Sequence, residues 1–225
     1  MAQIFHPATN TIAKASIFGA LLIIAAATWF AYRITRSPWN THVNVPREQP
    51  VPFSHEHHVA GLGIDCRYCH TSVAESSFAG MPNTQTCMTC HSQIWTNSEM
   101  LAPVRASLAS GKPIAWTRVH DLPDFAQFNH SIHINRGVSC VSCHGQVNEM
   151  PLMWRTQSLQ MEWCLDCHRD PANHLRPPEE VFNMDWHPPV DADARATFEK
   201  WQKDRADNLF DFDKLQMTNC SVCHY

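Results

Sequence analysis

Cysteine and histidine recur in this sequence in one fixed pattern, Cys-x-x-Cys-His. The pattern occurs five times, and its five copies use all ten cysteines of the 225-residue chain. On one helical turn, both cysteines and the histidine lie on the same face. Two thiols placed in this way can form thioethers with one haem while the histidine binds its iron. The spacing therefore predicts five covalently bound haem c groups.

Each motif supplies two attachment cysteines and one histidine for the proximal side of a haem iron. Three other uses of Cys-x-x-Cys compete with haem attachment: a zinc half-site, a redox pair and a disulfide framework. Each of them predicts some cysteine pairs that no histidine follows, whereas a histidine follows all five pairs here. The predicted attachment cysteines are Cys66, Cys69, Cys87, Cys90, Cys140, Cys143, Cys164, Cys167, Cys220 and Cys223, and the predicted proximal ligands are His70, His91, His144, His168 and His224.

An internal repeat supplies candidates for the opposite, distal side of the iron. The stretch FSHEHHVAGLGIDCRYCH (53–70) aligns with FNHSIHINRGVSCVSCHG (128–145) through Phe-x-His-x-x-His, a later glycine and the haem motif. A second imidazole closes the sixth position of a haem iron and leaves a centre suited to electron transfer. We expect His55 to serve the haem at Cys66/Cys69 and His130 the haem at Cys140/Cys143, with His58 and His133 reaching across to neighbouring haems. These distal candidates are His55, His58, His130 and His133.

Three further residues are candidate distal ligands. His120, in WTRVHDLPDF (116–125), is the fifth histidine candidate. Met81 and Met150 each precede a proline ahead of a haem motif, and His/Met ligation would raise the potential of a haem. They rank below the histidines because methionine commonly fills irregular gaps in a core. The sequence contains no recognisable catalytic triad or phosphate-binding loop, so we expect no catalytic site of its own. The formal net charge of −4 argues against nucleic-acid binding.

The N-terminal region predicts a membrane anchor. The stretch ASIFGALLIIAAATWFAY (15–32) is uncharged and close to the length of about 20 residues that crosses a bilayer. A cleaved signal peptide is the alternative, with a small-residue cleavage site at 25–27. Because the apolar run continues beyond that site, we favour a retained helix. Haem is attached to such motifs outside the bacterial cytoplasm, which predicts a plasma-membrane protein with its haems on the periplasmic side.

The chain therefore divides into an anchor (1–36), a proline-containing tether (37–52) and a pentahaem domain (53–225). The domain contains repeat modules at 53–91 and 128–168 and a C-terminal haem segment at 192–225. Residues 33–225 provide roughly 39 residues per haem, too few for separate side-chain cores, so the haems themselves must form the core. We expect a mostly α and irregular fold, with the longest helix of the domain at 192–208.

Several longer stretches resemble one family. They are the two modules, the segment VHDLPDFAQFNHSIHINRGVSCVSCHG (119–145), CHRDP (167–171) and LRPPEEVFNMDW (175–186). Together with the N-terminal helix, they resemble the pentahaem cytochrome c subunit of bacterial alternative complex III. The resemblance implies two modules similar to those of cytochromes c3 and c7, followed by a C-terminal haem. It also implies an electron relay in a complex that oxidises quinol.

The resemblance further implies partners. These are an iron–sulfur subunit similar to molybdoenzymes, multi-span quinol-oxidising subunits, and a monohaem cytochrome c or terminal oxidase. An alternative is a membrane-anchored multihaem quinol dehydrogenase that feeds a periplasmic reductase. In that family a methionine typically follows shortly after the first haem motif, whereas Thr71, Ser72 and Val73 follow it here.

Overall fold

The computed structural model describes residues 4–210 and 217–224. The chain forms two compact units, one up to Val43 and one from Asn44 onwards. The described residues form helices and irregular segments without strands, apart from two isolated β-bridges, Ala126–His224 and Val138–Leu175. This confirms the mostly α and irregular fold predicted from the sequence.

The first unit consists of two helices, α1 (Ala8–Thr35) and α2 (Pro38–Thr41). Helix α1 has 28 residues and none of them is buried. At a rise of 1.5 Å per residue it is about 42 Å long, enough to cross a bilayer. Its length and apolar composition make it a candidate membrane span.

The segment predicted as an extended tether differs from the prediction in two places. Its first residues form α2, because Pro38 occupies the first helical position, where its fixed φ is favourable and its missing N–H costs nothing. Further on, the amide of Asn44 donates to the carbonyl of Arg155 (2.7 Å), and that of Arg47 donates to the carbonyl of Met153 (3.2 Å). From Asn44 onwards the segment is therefore part of the second unit and is hydrogen-bonded within it.

The haem motifs lie on short helices of the second unit. They are α3 (Cys66–Cys69), α4 (Thr84–His91), α7 (Cys140–His144), α8 (Met161–Arg169) and α10 (Cys220–Cys223). Asx side chains cap three of them: Asp65, Asn83 and Asn219 accept hydrogen bonds from backbone amides at the starts of α3, α4 and α10. Each of these helices places a complete Cys-x-x-Cys within about one turn.

The remaining helices support the motifs. The distal candidates lie on a π-helix (Glu56–Gly61) and on α6 (His130–Arg136), and α5 is Ala102–Ser110. Helix α9 (Ala192–Phe210) confirms the helix predicted at 192–208. The 3₁₀ turns are Glu99–Leu101, Val147–Glu149, Ala172–His174 and Pro178–Glu180.

Few apolar side chains are buried in the described part of the chain. One small cluster contains Val51, Leu101 and Val104. Helix α9 is attached through the buried side chain of Gln202, which donates to the carbonyl of Leu175 (2.8 Å). The buried apolar residues are Val51, Val73, Leu101, Val104, Met150, Leu175, Val181, Met184 and Ala206. Side chains alone thus provide a small core, as expected for a domain that packs around macrocycles.

Candidate haem-binding sites

Each repeat module holds its two distal candidates against one phenylalanine ring. In the first module Phe53 stacks on His58, with ring centroids 4.4 Å apart and planes at 26°, and it contacts His55 edge-on at 4.9 Å and 86°. In the second module Phe128 stacks on His133 at 4.6 Å and 25°. The same ring contacts His130 edge-on at 4.8 Å and 88°. The sequence repeat is therefore a repeat of side-chain geometry, in which one phenylalanine ring stacks on the second histidine and contacts the first edge-on.

Three pairs of imidazoles have ring centroids at the separation that an iron between the two rings requires. Two imidazoles on opposite sides of one iron, with metal–nitrogen bonds of about 2 Å, have ring centroids about 6.3 Å apart. The rings of His58 and His91 are 6.2 Å apart. The observed separations in the second module are 6.4 Å for His130–His144 and 6.2 Å for His133–His168.

The histidines are held in the tautomer that binds iron. A carbonyl oxygen only accepts, so a ring Nδ1 that hydrogen-bonds to one must carry the proton. Nε2 then keeps its lone pair for a metal. Seven of the nine repeat-derived and proximal histidines make this contact, which also fixes the ring orientation. The carbonyls belong to Ser54 for His58 (2.8 Å), Gly80 for His70 (2.7 Å), Ile94 for His91 (3.1 Å), Ser77 for His130 (2.8 Å), Asn129 for His133 (2.7 Å), Met217 for His168 (2.7 Å) and Phe125 for His224 (3.3 Å).

Burial favours the neutral form of four of these imidazoles, which is the form that binds metals. Burial lowers the pKa of His55 to about 4, and the neighbouring His70 and His58 add to the effect. The pKa of His144 falls to about 3 through burial, with smaller contributions from His120 and His130. Burial also lowers the pKa values of His58 and His133.

The structure places His120 beside the third motif. Its ring centroid lies 4.2 Å from that of His144, a distance too short for two rings on opposite sides of one iron. Its Nε2 is buried without a hydrogen-bond partner. Burial, with Arg155 nearby, lowers its pKa to about 4. His120 thus keeps a free, neutral donor atom but is not positioned across an iron from His144. Around the fifth proximal histidine, His224, the aromatic ring contact in the described residues comes from Phe125, at 5.7 Å.

The two methionine candidates lie in different environments. Met150 is 1% exposed and its carbonyl accepts from the amide of Glu56 at the start of the π-helix (3.1 Å), so it packs beneath the first module. Met81 is 52% exposed. Gly80, which precedes Met81, supplies the carbonyl that accepts a hydrogen bond from Nδ1 of His70.

The cysteines are available for haem attachment. All ten are free thiols. Within residues 4–210 and 217–224, no three His, Cys, Asp or Glu residues come together in a way that could hold a metal ion. The donor set therefore fits haem, which needs one imidazole on each side of its iron and two thiols at its edge.

Sequence reasoning missed the residues that hold the histidines. The two phenylalanines are visible in the repeat as its first letter, although their stacking role is not. The carbonyl acceptors leave no sequence signal, because any residue supplies a carbonyl. A third missed contact is the stacking of Trp95 on the exposed His57, with centroids 5.8 Å apart.

Short helices that carry attachment motifs, paired imidazoles and a small side-chain core define an electron-transfer protein of the multihaem type. Residues 33–112 match the family model described as the class III cytochrome C family. The chain is also 31% identical over 183 residues to the "Menaquinone reductase, multiheme cytochrome c subunit" of Nitratidesulfovibrio vulgaris (strain Hildenborough), covering 79% of this chain and 77% of that protein. The chain belongs to the multihaem cytochromes c, and membership in this family implies covalently bound haem c.

Proposed function

We propose that this chain is a membrane-anchored pentahaem cytochrome c that relays electrons in a quinol-oxidising complex of the alternative complex III type. Haem would occupy all five motifs and supply a one-electron centre at each. The chain would receive electrons from iron–sulfur or quinol-oxidising subunits and pass them to a monohaem cytochrome c or a terminal oxidase. Helix α1 would anchor it in the bacterial plasma membrane, with the second unit on the periplasmic side.

The observation that carries this proposal is the set of imidazole pairs at 6.2–6.4 Å. An iron closed on both sides has no position for a substrate, so such a centre exchanges electrons and does no other chemistry. In this proposal the chain's own residues attach each haem, fix the orientation of its axial imidazoles and shield it from water.

Haem content and ligation of the purified full-length chain test the relay. We expect five covalent haems per chain by intact mass and low-spin spectra in the oxidised and reduced states. We also expect no carbon monoxide binding. A mass corresponding to fewer haems, or stoichiometric carbon monoxide binding, would contradict a closed pentahaem relay.

The complex is tested by gentle detergent extraction from the native membrane and mass analysis of the proteins that co-purify. A set of multi-span subunits and an iron–sulfur subunit would support the proposal. An isolated cytochrome that oxidises quinol by itself would support the quinol dehydrogenase alternative instead.

The relative from Nitratidesulfovibrio vulgaris favours a second candidate, because its name assigns it to a menaquinone reductase. In that case electrons would flow through this chain towards menaquinone rather than away from a quinol. The direction can be measured in the intact complex. Reduction of the haems by added menaquinol would support the first candidate, and oxidation of prereduced haems by added menaquinone would support the second.

A further inference from the structure

The five motifs do not follow one another in space as they do along the chain. The first two are neighbours, since the hydroxyl of Tyr68 on α3 lies 2.8 Å from that of Thr89 on α4. The two distal candidates of the first module are only three residues apart. The ring centroid of His58 lies 6.2 Å from that of His91 of the second motif, and His55 is the distal candidate for the first.

The second module joins the third motif to the fourth in the same way. The ring centroids of His130 and His144 are 6.4 Å apart, and those of His133 and His168 are 6.2 Å apart. Both distal candidates lie on α6, within one helical turn of each other. The two sites must therefore be adjacent.

The connection between the modules runs through the first motif. Helix α6 sits on the loop that follows this motif: Nδ1 of His130 donates to the carbonyl of Ser77 (2.8 Å), and the side chain of Asn135 donates to that of Ala74 (2.9 Å). In the described part of the chain, no hydrogen bond or ring contact joins residues 87–91 to the third, fourth or fifth motif.

The fifth motif follows the fourth. Nδ1 of His168 donates to the carbonyl of Met217, three residues before the fifth motif begins (2.7 Å).

We infer that the five haems form one unbranched series in the order second, first, third, fourth, fifth. This inference rests on the proposed relay and specifies its route. The second and fifth haems are then the two ends, and the haem that comes first in the sequence is internal. Each step exchanges one electron: one site is oxidised, its neighbour is reduced, and no bond forms or breaks. The electron enters from a reduced one-electron centre of a partner protein at one end and leaves to an oxidised one at the other.

The exposure of the cysteines supports these ends independently. Of the ten attachment cysteines, Cys90 and Cys220 are exposed and the other eight are partly buried. These two belong to the second and fifth motifs. The surface beside the second motif is also apolar: Ile94 and Trp95 are each 56% exposed, and residues 76–98 contain no charged side chain. A face of this kind suits a permanently bound redox subunit, because it offers no charges for salt-dependent steering.

The order can be tested with light-driven electron injection into the full-length holoprotein. A ruthenium photosensitiser is attached to a cysteine introduced beside either end, Thr96→Cys near the second motif or Asp124→Cys near the fifth. Both positions are exposed. A single haem is marked by replacing its distal histidine with methionine, which changes its absorption and raises its potential. His55→Met marks the first-motif haem and His58→Met marks the second.

After injection at position 124, we expect the first-motif haem to be reduced before the second-motif haem. After injection at position 96, we expect the reverse. If injection at position 124 reduced the second-motif haem before the first-motif haem or at the same time, the proposed order would be wrong. If the electron stays on the haem next to the label, the relay itself fails, so the two failures are distinguishable.

A redox titration provides a second measurement that does not depend on labels. Reduction of one haem raises the energy of adding an electron to a near neighbour more than to a distant one. In the His55→Met variant, the first-motif haem should have a raised potential and be reduced first. The potentials of the other haems are then measured while this haem is already reduced. The potential of the third-motif haem should then shift more than that of the fourth. An equal or smaller shift at the third would contradict the adjacency of the first and third sites.

Discussion

The two repeat modules place their phenylalanine and histidine rings almost identically, although their chains differ in length. Cys66 is thirteen positions after Phe53, whereas Cys140 is twelve positions after Phe128. The extra residue coincides with a π-helix, Glu56–Gly61, at the place where the second module has the α-helix α6. A π-helical turn contains one more residue than an α-helical turn, so the insertion is absorbed within the helix.

This difference shows which part of the module has a fixed geometry. The histidines stay at the start of the helix, and their angles to the phenylalanine agree within 2° between modules. On the other side of the insertion, Gly63 and Gly137 each precede the first cysteine by three residues and have left-handed φ values of 68° and 98°. The extra residue therefore lies between the histidine pair and the left-handed glycine, and both features are present in the two modules.

The largest expected effect comes from removing a distal imidazole in either module. His58→Ala and His133→Ala should each open one iron, so that each variant binds one carbon monoxide per chain while the unsubstituted protein binds none. Carbon monoxide difference spectra of the reduced protein measure this. The matched control is His57→Ala, because His57 is adjacent in sequence but exposed and stacked on Trp95. Binding in that control, or none in His58→Ala, would contradict the assignment.

Changing the module lengths should have the next largest effect. Deletion of Ala60 gives the first module the twelve-position spacing of the second, so we expect an ordinary α-helix and five low-spin haems. Deletion of Asn135 shortens the second module to a spacing that neither module has and removes its hydrogen bond to Ala74. It should cost about 1–3 kcal/mol, or roughly 2–4 °C in the thermal midpoint per kcal/mol.

Intact mass and the thermal midpoint of the low-spin spectrum compare the two deletions. Loss of a haem from the Ala60 deletion would show that the π-helix is itself required. Equal midpoints for the two variants would show that module length is not a constraint.

Replacing the phenylalanines should have a smaller and equal effect in both modules. Phe53→Leu and Phe128→Leu each remove a stacked and an edge-on ring contact, worth about 0.5–1.5 kcal/mol per pair beyond buried area. The released imidazoles can rotate, which should broaden the electron paramagnetic resonance signals of two haems in each variant. Phe78→Leu is the control, since Phe78 is 57% exposed. Signals that change in only one module would show that the two rings are not equivalent.

The sequence predicted the attachment motifs, the repeat and the helix at 192–208 because each has a strong local pattern. It also named His58 and His133 as residues that reach a neighbouring haem, and the structure brings these rings to His91 and His168. The sequence could not predict which motifs are neighbours in space, because this depends on long-range contacts such as that of His130 with Ser77. The π-helix was hidden as well, since a one-residue length difference between repeats does not say where the extra residue goes.

The smallest expected effect concerns the residues that precede the motif helices of the two modules. Asp65 caps α3 by accepting from the amide of Arg67 (2.8 Å), whereas the hydroxyl of Ser139 at the start of α7 is buried without a partner. Asp65→Ala should therefore cost about 1 kcal/mol. Ser139→Ala should be neutral or slightly stabilising, because it removes a buried polar group that has no hydrogen bond.

The effect of pH separates the Asp65 cap from a simple packing effect. Hydrogen bonds from the Arg67 side chain are the main cause that lowers the pKa of Asp65 below its ordinary value of 3.8. A carboxyl with a lowered pKa stabilises the fold above its unfolded-state pKa, and this contribution is lost as the pH falls through the folded-state value. The difference in thermal midpoint between Asp65→Ala and the unsubstituted protein should thus be constant near neutral pH and disappear in strong acid. The Ser139→Ala difference should not depend on pH, since a hydroxyl does not titrate in this range. A pH-independent difference for Asp65→Ala would mean that the side chain acts through packing rather than through its charge.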